Sequence, residues 1–159
     1  PPISTLFPYT TLFRSYLVVG LFDTCVCAAM GVWWFGVAFR GYVWVFMLSS
    51  VLFLTVVLSM GYFISVIAKT QLAASQISLI VTFLPAFLLS GFMYPIDQMP
   101  AVIQVITHII PARYYMSILR NVFLKGTSIM SMWRDFLGLG IFALILAFVA
   151  TQAFKKRLD

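Results

Sequence analysis

The sequence predicts an all-α integral membrane protein with about four transmembrane helices and an external amphipathic, re-entrant helical hairpin. Of its 159 residues, 63% are hydrophobic and only 9% are charged, whereas about 25% of the residues of an ordinary soluble domain are charged. Several charge-poor runs reach the roughly 20 residues that a helix needs to cross a bilayer. Between the last two of these runs, apolar and polar residues alternate at helical spacing, as in a helix that lies at an interface.

The first 15 residues are expected to be foreign to the protein. The chain starts with Pro1 rather than methionine, and residues 5–15 read TLFPYTTLFRS, which resembles the translation of a widely used sequencing adapter. Segments of such origin are left out of fold reasoning. We therefore base the fold on residues 16–159 and expect the native chain to begin further upstream.

Four transmembrane spans are predicted, at residues 16–39, 41–68, 72–94 and 136–154. The first span holds one charge, Asp23, and the second holds none. Arg40 and Gly41 are expected to form a tight turn between them. Pro85 should kink the third span, which is tolerable where neighbouring helices supply partners for the carbonyl that it leaves unbonded. The fourth span is just long enough, at about 28 Å of helix.

The two ends of the chain favour one orientation in the membrane. An even number of spans places both ends on one side, and the basic tail Lys155-Lys156-Arg157 favours the cytoplasm. Most of the other basic residues would then lie outside, so the charges alone leave the orientation open. The formal charge of +6 is interpreted as interfacial anchoring rather than nucleic-acid binding. All four tryptophans fall at the non-tail side, as an aromatic belt would: Trp33, Trp34, Trp44 and Trp133.

Residues 95–126 predict the external hairpin. Pro100 and Pro111 bound a first short helix, and a second runs from Pro111 to a helix-ending glycine, Gly126. We expect this hairpin to dip into the outer leaflet, with the polar side of its second helix, including Ser117, facing water. The apolar residues are Val102, Val105, Ile106, Ile109 and Ile110 in the first helix and Tyr115, Ile118, Leu119, Val122 and Phe123 in the second.

Few residues could carry chemistry. The chain has one histidine and four acidic residues, too few for a carboxylate pair with partners or for a metal site, and it has no phosphate-binding G-x-x-x-x-G-K-[ST] loop. We expect no enzyme activity, metal or cofactor. His108 is interpreted as a solvated interfacial residue, with pH sensing as the alternative, and Cys25 and Cys27 as packing residues.

Asp23 is the most unusual residue, because a carboxylate inside a span costs a few kcal/mol and normally faces a bundle interior or a wet cavity. Small residues beside it would let another helix approach closely; they are Gly20, Thr24, Cys27 and Gly31. Asp23 is therefore either a packing residue or a part of a transport path or its coupling.

The segment from residue 90 to residue 126 resembles the external segment before the last span in bacterial permeases of the type-2 ABC exporter family. The matching pieces are Ser90-Gly91, Tyr94-Pro95, Met99-Pro100, Gln104, Pro111, Tyr114-Tyr115, Arg120 and Leu124-Lys125-Gly126. Further likeness lies in residues 32–37 (VWWFGV), in Phe39-Arg40-Gly41 and in residues 154–159 (FKKRLD). Together the resemblance covers residues 16–159.

This resemblance implies a multi-pass permease of the bacterial cytoplasmic (inner) membrane that exports substrates by alternating access, with its C-terminus in the cytoplasm. Its implied partners are a separate ATP-binding subunit, a second permease subunit and the bilayer. The family has six spans, so the chain would be the C-terminal part of such a transmembrane domain, starting at the third span. Lys69-Thr70-Gln71 would be its remaining cytoplasmic loop.

The candidate site residues fall into two groups. Candidates for transport or coupling are Asp23 and Lys69. Candidates in the external hairpin are Gly91, Pro95, Pro100, Pro111, Arg113, Tyr114, Arg120 and Gly126. A proton-coupled carrier or channel that uses Asp23 is the alternative function, and a membrane enzyme is a third. The substrate is left open.

Overall fold

The computed structural model describes residues 2–91, 93–126 and 128–158, and the side chains of residues 11–91, 93–126 and 128–152. Within this part of the chain all regular structure is helical, so the all-α fold class is confirmed. The seven α-helices are α1 (Pro2–Trp33), α2 (Val43–Ile67), α3 (Gln71–Ser78), α4 (Leu84–Leu89), α5 (Ala101–Thr107), α6 (Pro111–Arg120) and α7 (Ile129–Leu158). Two π-helical turns, Leu79–Phe83 and Asn121–Lys125, and a short 3-10 helix, Ile96–Gln98, complete them.

Four of the described helical segments are long and apolar enough to cross a membrane. They are Thr11–Trp33, Val43–Ile67, Gln71–Leu89 and Ile129–Gln152, and they correspond in number and order to the predicted spans. The chain is thus a multi-pass membrane protein. That residues 1–15 are foreign stays a prediction.

The first helix ends earlier than predicted. It stops at Trp33 rather than at residue 39, because Gly36 adopts a left-handed backbone with φ of 65° and the Val37 N–H bonds back to the Gly31 carbonyl at 3.0 Å. This is a glycine-dependent helix end. The expected tight turn at Arg40-Gly41 is therefore wrong: the connection to α2 is a loop of residues 34–42.

The third and fourth spans also differ from the prediction at the ends next to the hairpin. The third helix ends at Leu89 rather than at residue 94, because Gly91 has a left-handed φ of 87°. The last helix begins at Ile129 rather than at residue 136. Next to the hairpin, the third helix is therefore shorter and the last helix longer than predicted. Both remain long enough to cross the membrane.

The third span is a continuous helix, residues 71–89, that contains a π-turn next to Pro85. Proline has no N–H to give to the carbonyl four residues before it, and the turn that precedes it, Leu79–Phe83, widens to a π-helix in which the Leu84 N–H bonds to the Leu79 carbonyl. A π-turn therefore stands directly before the proline, and the kink predicted from Pro85 stays a prediction.

The helix α2 lies at the centre of the packing. It contacts α7 most extensively and also α1, α6 and α3. Because lipid is as apolar as the side chains, burial from water does not hold such helices together, and close packing and hydrogen bonds do. The buried core is Val45, Phe46 and Val56 of α2, Ile118 of α6, Val122, and Met132 and Leu139 of α7.

Candidate functional site: the external hairpin

Arg113 joins the two helices of the hairpin. Its Nη1 donates to the Thr107 hydroxyl at 2.6 Å and to the Gln104 carbonyl at 3.2 Å, and it lies 3.0 Å from Nδ1 of His108. Thr107 is fully buried, and Pro111 opens α6 at its first turn, where its missing N–H costs nothing. Thr107 and Gln104 of α5 therefore face α6, while His108 at the end of this helix is exposed.

Two prolines set the approach to α5. Pro95 precedes the 3-10 helix Ile96–Gln98 and accepts a bond from the Gln98 N–H at 3.1 Å. Pro100 precedes α5, and its carbonyl accepts the Gln104 N–H at 3.0 Å. The Gln104 side chain in turn donates to the Met99 carbonyl at 2.9 Å. Each proline thus stands at a helix start, as its fixed φ favours.

Tyr114 and Ser117 attach α6 to α7. A Cβ at Gly138 would lie 2.7 Å from the Tyr114 ring, so the ring packs directly on the α7 backbone, and its hydroxyl donates to the His108 carbonyl at 2.9 Å. The Ser117 hydroxyl donates to Oδ2 of Asp135 at 2.8 Å. The expectation that Ser117 faces water is therefore wrong: it is half-buried and bonded to the last span.

Tyr115 attaches α6 to α2. Its hydroxyl lies 3.0 Å from the Ser50 hydroxyl, and its ring stacks on Phe53 with centroids 4.3 Å apart. Burial raises the pKa of Tyr115 above its usual range, so the phenol stays neutral and acts as a hydrogen-bonding group. Ile118 and Val122 next to it are fully buried. Successive residues 114 and 115, about 100° apart on a helix, thus contact two different spans.

Arg120 connects α6 to the C-terminal end of the third span. Its guanidinium donates to the Gly91 carbonyl, and Gly91 is buried in a left-handed conformation. A Cβ at Gly91 would come within 3.2 Å of the Ile96 side chain. A residue larger than glycine would therefore both strain the backbone and crowd this contact.

The end of the hairpin docks on the loop between α1 and α2. Gly126 ends the π-turn Asn121–Lys125 with φ of 58°, and a Cβ there would lie 2.9 Å from the Arg40 carbonyl. The Gly41 N–H donates to the Val122 carbonyl at 2.7 Å. Next to this contact, the rings of Phe39, Phe46 and Phe123 pack edge to face on one another.

The structure brings all eight predicted hairpin residues into this one assembly, which links Gly91, Pro95, Pro100, Pro111, Arg113, Tyr114, Arg120 and Gly126. Asp23 and Lys69 lie outside it. Lys69 is exposed just after α2 ends, about 25 Å along that helix from Phe53, which stacks on Tyr115 of the hairpin. Thr70 beside it caps α3 through the Ala73 N–H at 3.2 Å.

Asp23 does not face the other described spans of this chain, and its role as a packing or transport residue stays a prediction. Its side chain is exposed on α1. The small-residue stripe beside it is confirmed in part, since Gly20 packs so closely on α2 that a Cβ there would lie 2.8 Å from Leu54, while Gly31 has open space around it. The helix contact therefore uses one end of the stripe and leaves the carboxylate on the outside.

Sequence reasoning missed three anchoring residues of the hairpin: Ser50, Phe53 and Asp135. Asp135 stands directly before an apolar run, a position that could have marked it as a partner for the hairpin at the same membrane side. Ser50 gives no such signal, because a serine in a span commonly bonds to its own backbone, as Ser50 does to Phe46 at 2.8 Å.

The polar groups of the hairpin serve to join helices. They are engaged in hydrogen bonds between helices, and among residues 2–91, 93–126 and 128–158 no three histidine, cysteine or acidic side chains come together as metal ligands would. The arrangement holds α2, α7, the third span and the loop of residues 34–42 to α6 and the π-turn that follows it.

Comparison with known proteins connects this arrangement to a family. The sequence model of the ABC-2 type transporter family matches residues 2–124. The chain is 43% identical over 111 residues to the probable multidrug ABC transporter permease YbhS of Escherichia coli K12, a match that covers 70% of this chain and 29% of that protein. No solved structure matches the chain.

Two further relatives match over more of the chain. The probable multidrug ABC transporter permease YbhR of Escherichia coli K12 is 28% identical over 141 residues, which is 89% of this chain and 38% of that protein. The ABC transporter G family member 20 of Dictyostelium discoideum is 26% identical over 147 residues, which is 91% of this chain and 20% of that protein. The chain thus spans less than two fifths of the length of these relatives.

Proposed function

Because the chain belongs to the ABC-2 type transporter family, we propose that it supplies the last spans and the external gate of a permease subunit in an ATP-driven exporter. The observation that carries this proposal is the position of α6. This one short helix contacts α2 through Tyr115, α7 through Tyr114 and Ser117, and the third span through Arg120. A rearrangement of the spans around a translocation path would therefore act on the hairpin directly.

The apolar side of α5 supports a place for the hairpin in the outer leaflet. This helix turns its polar side to Arg113, and its apolar side is outward, with Val105 exposed by 67%. A helix of that polarity fits lipid and not water. Its seven residues measure about 10 Å, a third of the hydrocarbon core, so it enters the leaflet without crossing it and covers the external exit of the path.

ATP hydrolysis belongs, in this proposal, to a separate subunit. The relatives are named as permeases, and the sequence has no phosphate-binding loop. The exposed loop around Lys69 and the basic tail are the cytoplasmic surfaces on which such a subunit would act. A second permease subunit would complete the path, and the membrane would be the bacterial inner membrane with the C-terminus in the cytoplasm.

The proton-coupled alternative finds less support. It needs a carboxylate in a path through the protein, whereas Asp23 is exposed on the side of α1 that faces away from the other described helices. A relay also needs several ionisable groups in succession, and the described parts of α2 and α3–α4 contain no charged side chain.

The proposed gate is tested by placing a charge on the outward side of α5. In a full-length permease that carries this hairpin, reconstituted with its ATPase subunit in vesicles, Val105→Asp is expected to reduce ATP-driven export strongly. A carboxylate costs about 2 to 3 kcal/mol or more in hydrocarbon, and residue 105 has few protein contacts whose loss could explain the effect. Gln98→Asp, at an exposed polar position nearby, is the matched control and should export normally.

Equal export by both variants would show that α5 is an ordinary solvated segment, and the gate would have to be abandoned. Folding is checked separately by the yield of monodisperse protein in detergent, which Val105→Asp should leave unchanged.

A further inference from the structure

The two halves of the third span are attached to different parts of the protein. The inner half, α3, packs mainly on α2, whereas the outer half, α4, packs mainly on α6 of the hairpin. The span as a whole is otherwise exposed. The hairpin helix α6 also packs on α2, so α4 can follow the hairpin relative to α3 only if the third span has a joint between its two halves.

Such a joint is present at the π-turn Leu79–Phe83. The Leu84 N–H reaches back five residues to Leu79, and Pro85 has no N–H to donate. Helices bend at prolines and π-turns, where the regular ladder of backbone bonds is interrupted. The joint lies between α3, which follows the exposed Lys69 loop, and α4, which leads to the hairpin.

The link from α4 to the hairpin is held by one charged side chain. Arg120, the last residue of α6, donates to the Gly91 carbonyl just beyond the end of α4. A hydrogen bond from a guanidinium to a backbone carbonyl is charge-assisted and therefore stronger than one between neutral groups. Gly91 and Ser90 are buried here, whereas the Arg120 side chain reaches them from an exposed position.

We propose that Arg120 is a positioning residue that makes α4 and the hairpin move as one body about the π-turn, so that bending of the third span reaches the external gate. The proposal rests on the proposed function for its consequence in export, but the link itself is a property of this chain. Without Arg120, the outer half would bend freely and the hairpin would no longer follow it.

The link is tested by distance measurements between spin labels on the chain in lipid nanodiscs, after replacement of Cys25 and Cys27 by serine. One label pair replaces Leu88 of α4 and Leu124 after α6, both exposed. The parent chain is expected to give one narrow distance distribution. Arg120→Ala should broaden or shift it, and Arg120→Lys, which keeps the charge and one donor, should restore part of the narrow population.

Two controls separate this effect from general unfolding. Arg134→Gln removes an equal charge from an exposed position that stacks on Trp133 and should leave the distribution unchanged. A second label pair at Leu48 and Leu72, on α2 and α3, should be unaffected by Arg120→Ala. An unchanged 88–124 distribution in Arg120→Ala, or equal broadening of both label pairs, overturns the proposal.

The same variants distinguish the contact between Arg120 and Gly91 from the effect of that contact on export. In the full-length permease, Arg120→Ala is expected to retain ATP hydrolysis and lose export. Loss of the narrow distribution with unchanged export would leave the link in place as a structural fact and would contradict its role in the gate.

Discussion

At the scale of single residues, the absence of a side chain at Gly138 permits α6 to pack on α7. The Tyr114 ring occupies the space that a Cβ would need, at 2.7 to 3.0 Å. Two residues further along the same helix, Gly140 has no neighbour within 4 Å. Both glycines lie in α7 with a helical backbone, and they differ only in whether another side chain packs against them.

This pair gives the first residue-scale prediction. Gly138→Ala should lower the thermal stability of the chain in detergent, since the clash with a packed ring costs about 1 to 3 kcal/mol. Gly140→Ala should be neutral or stabilising by up to about 1 kcal/mol, because alanine favours the helix. Equal melting temperatures for both variants would show that the Tyr114 contact contributes nothing to stability.

The hydrogen bond between Ser117 and Asp135 gives the second residue-scale prediction. A double-mutant cycle with Ser117→Ala and Asp135→Ala should yield a coupling free energy of about 1 to 3 kcal/mol, as a half-buried bond to a charged acceptor does. Thermal unfolding of the four proteins measures it. Strictly additive effects would mean that the two side chains do not interact in the membrane.

At the scale of helices and loops, the hairpin depends on the loop of residues 34–42 as well as on the spans. Gly36 and Gly126 both have a left-handed φ, of 65° and 58°. Only Gly126 lies against another segment, with its missing Cβ 2.9 Å from the Arg40 carbonyl. Docking of the loop on the hairpin therefore adds a requirement for glycine at 126 that the backbone alone does not impose.

The element-scale prediction compares these glycines. Gly36→Ala and Gly126→Ala should each lose about 1 kcal/mol from the left-handed backbone, and Gly126→Ala should lose more, because it also pushes Arg40 away. Hydrogen exchange followed by mass spectrometry should then show faster exchange of the Gly41 amide in Gly126→Ala alone. Slow exchange at Gly41 in both variants would contradict the docking.

The helices were predictable from the sequence to the extent that local chemistry determines them. Two short helices meeting at Pro111, and the stop at Gly126, follow from proline and glycine geometry and are confirmed. The end of α1 at Trp33 was missed because its determinant is a single left-handed glycine, Gly36, inside an apolar stretch. The contact of Ser117 with Asp135 was missed because it joins two elements, and helical periodicity of one element cannot show what covers its polar side.

At the scale of the whole molecule, the predicted fold class and the family resemblance are both confirmed, while the orientation of the chain in the membrane stays a prediction. Charge distribution could not decide it, because basic residues lie at both ends of the spans. The hairpin, the loop of residues 34–42 and the exposed Trp33 and Trp44 all lie at one end, and the Lys69 loop lies at the other. One labelled residue at each end therefore determines the arrangement of all the others.

The most direct test of this account is cysteine accessibility in intact cells, with Cys25 and Cys27 replaced by serine and single cysteines placed at Lys69 or Lys125, both exposed. A thiol reagent that cannot cross the membrane should label residue 125 from outside and should label residue 69 only after the cells are opened. Labelling of residue 69 in intact cells, with residue 125 protected, would place the hairpin in the cytoplasm and contradict its role as the external gate of an exporter.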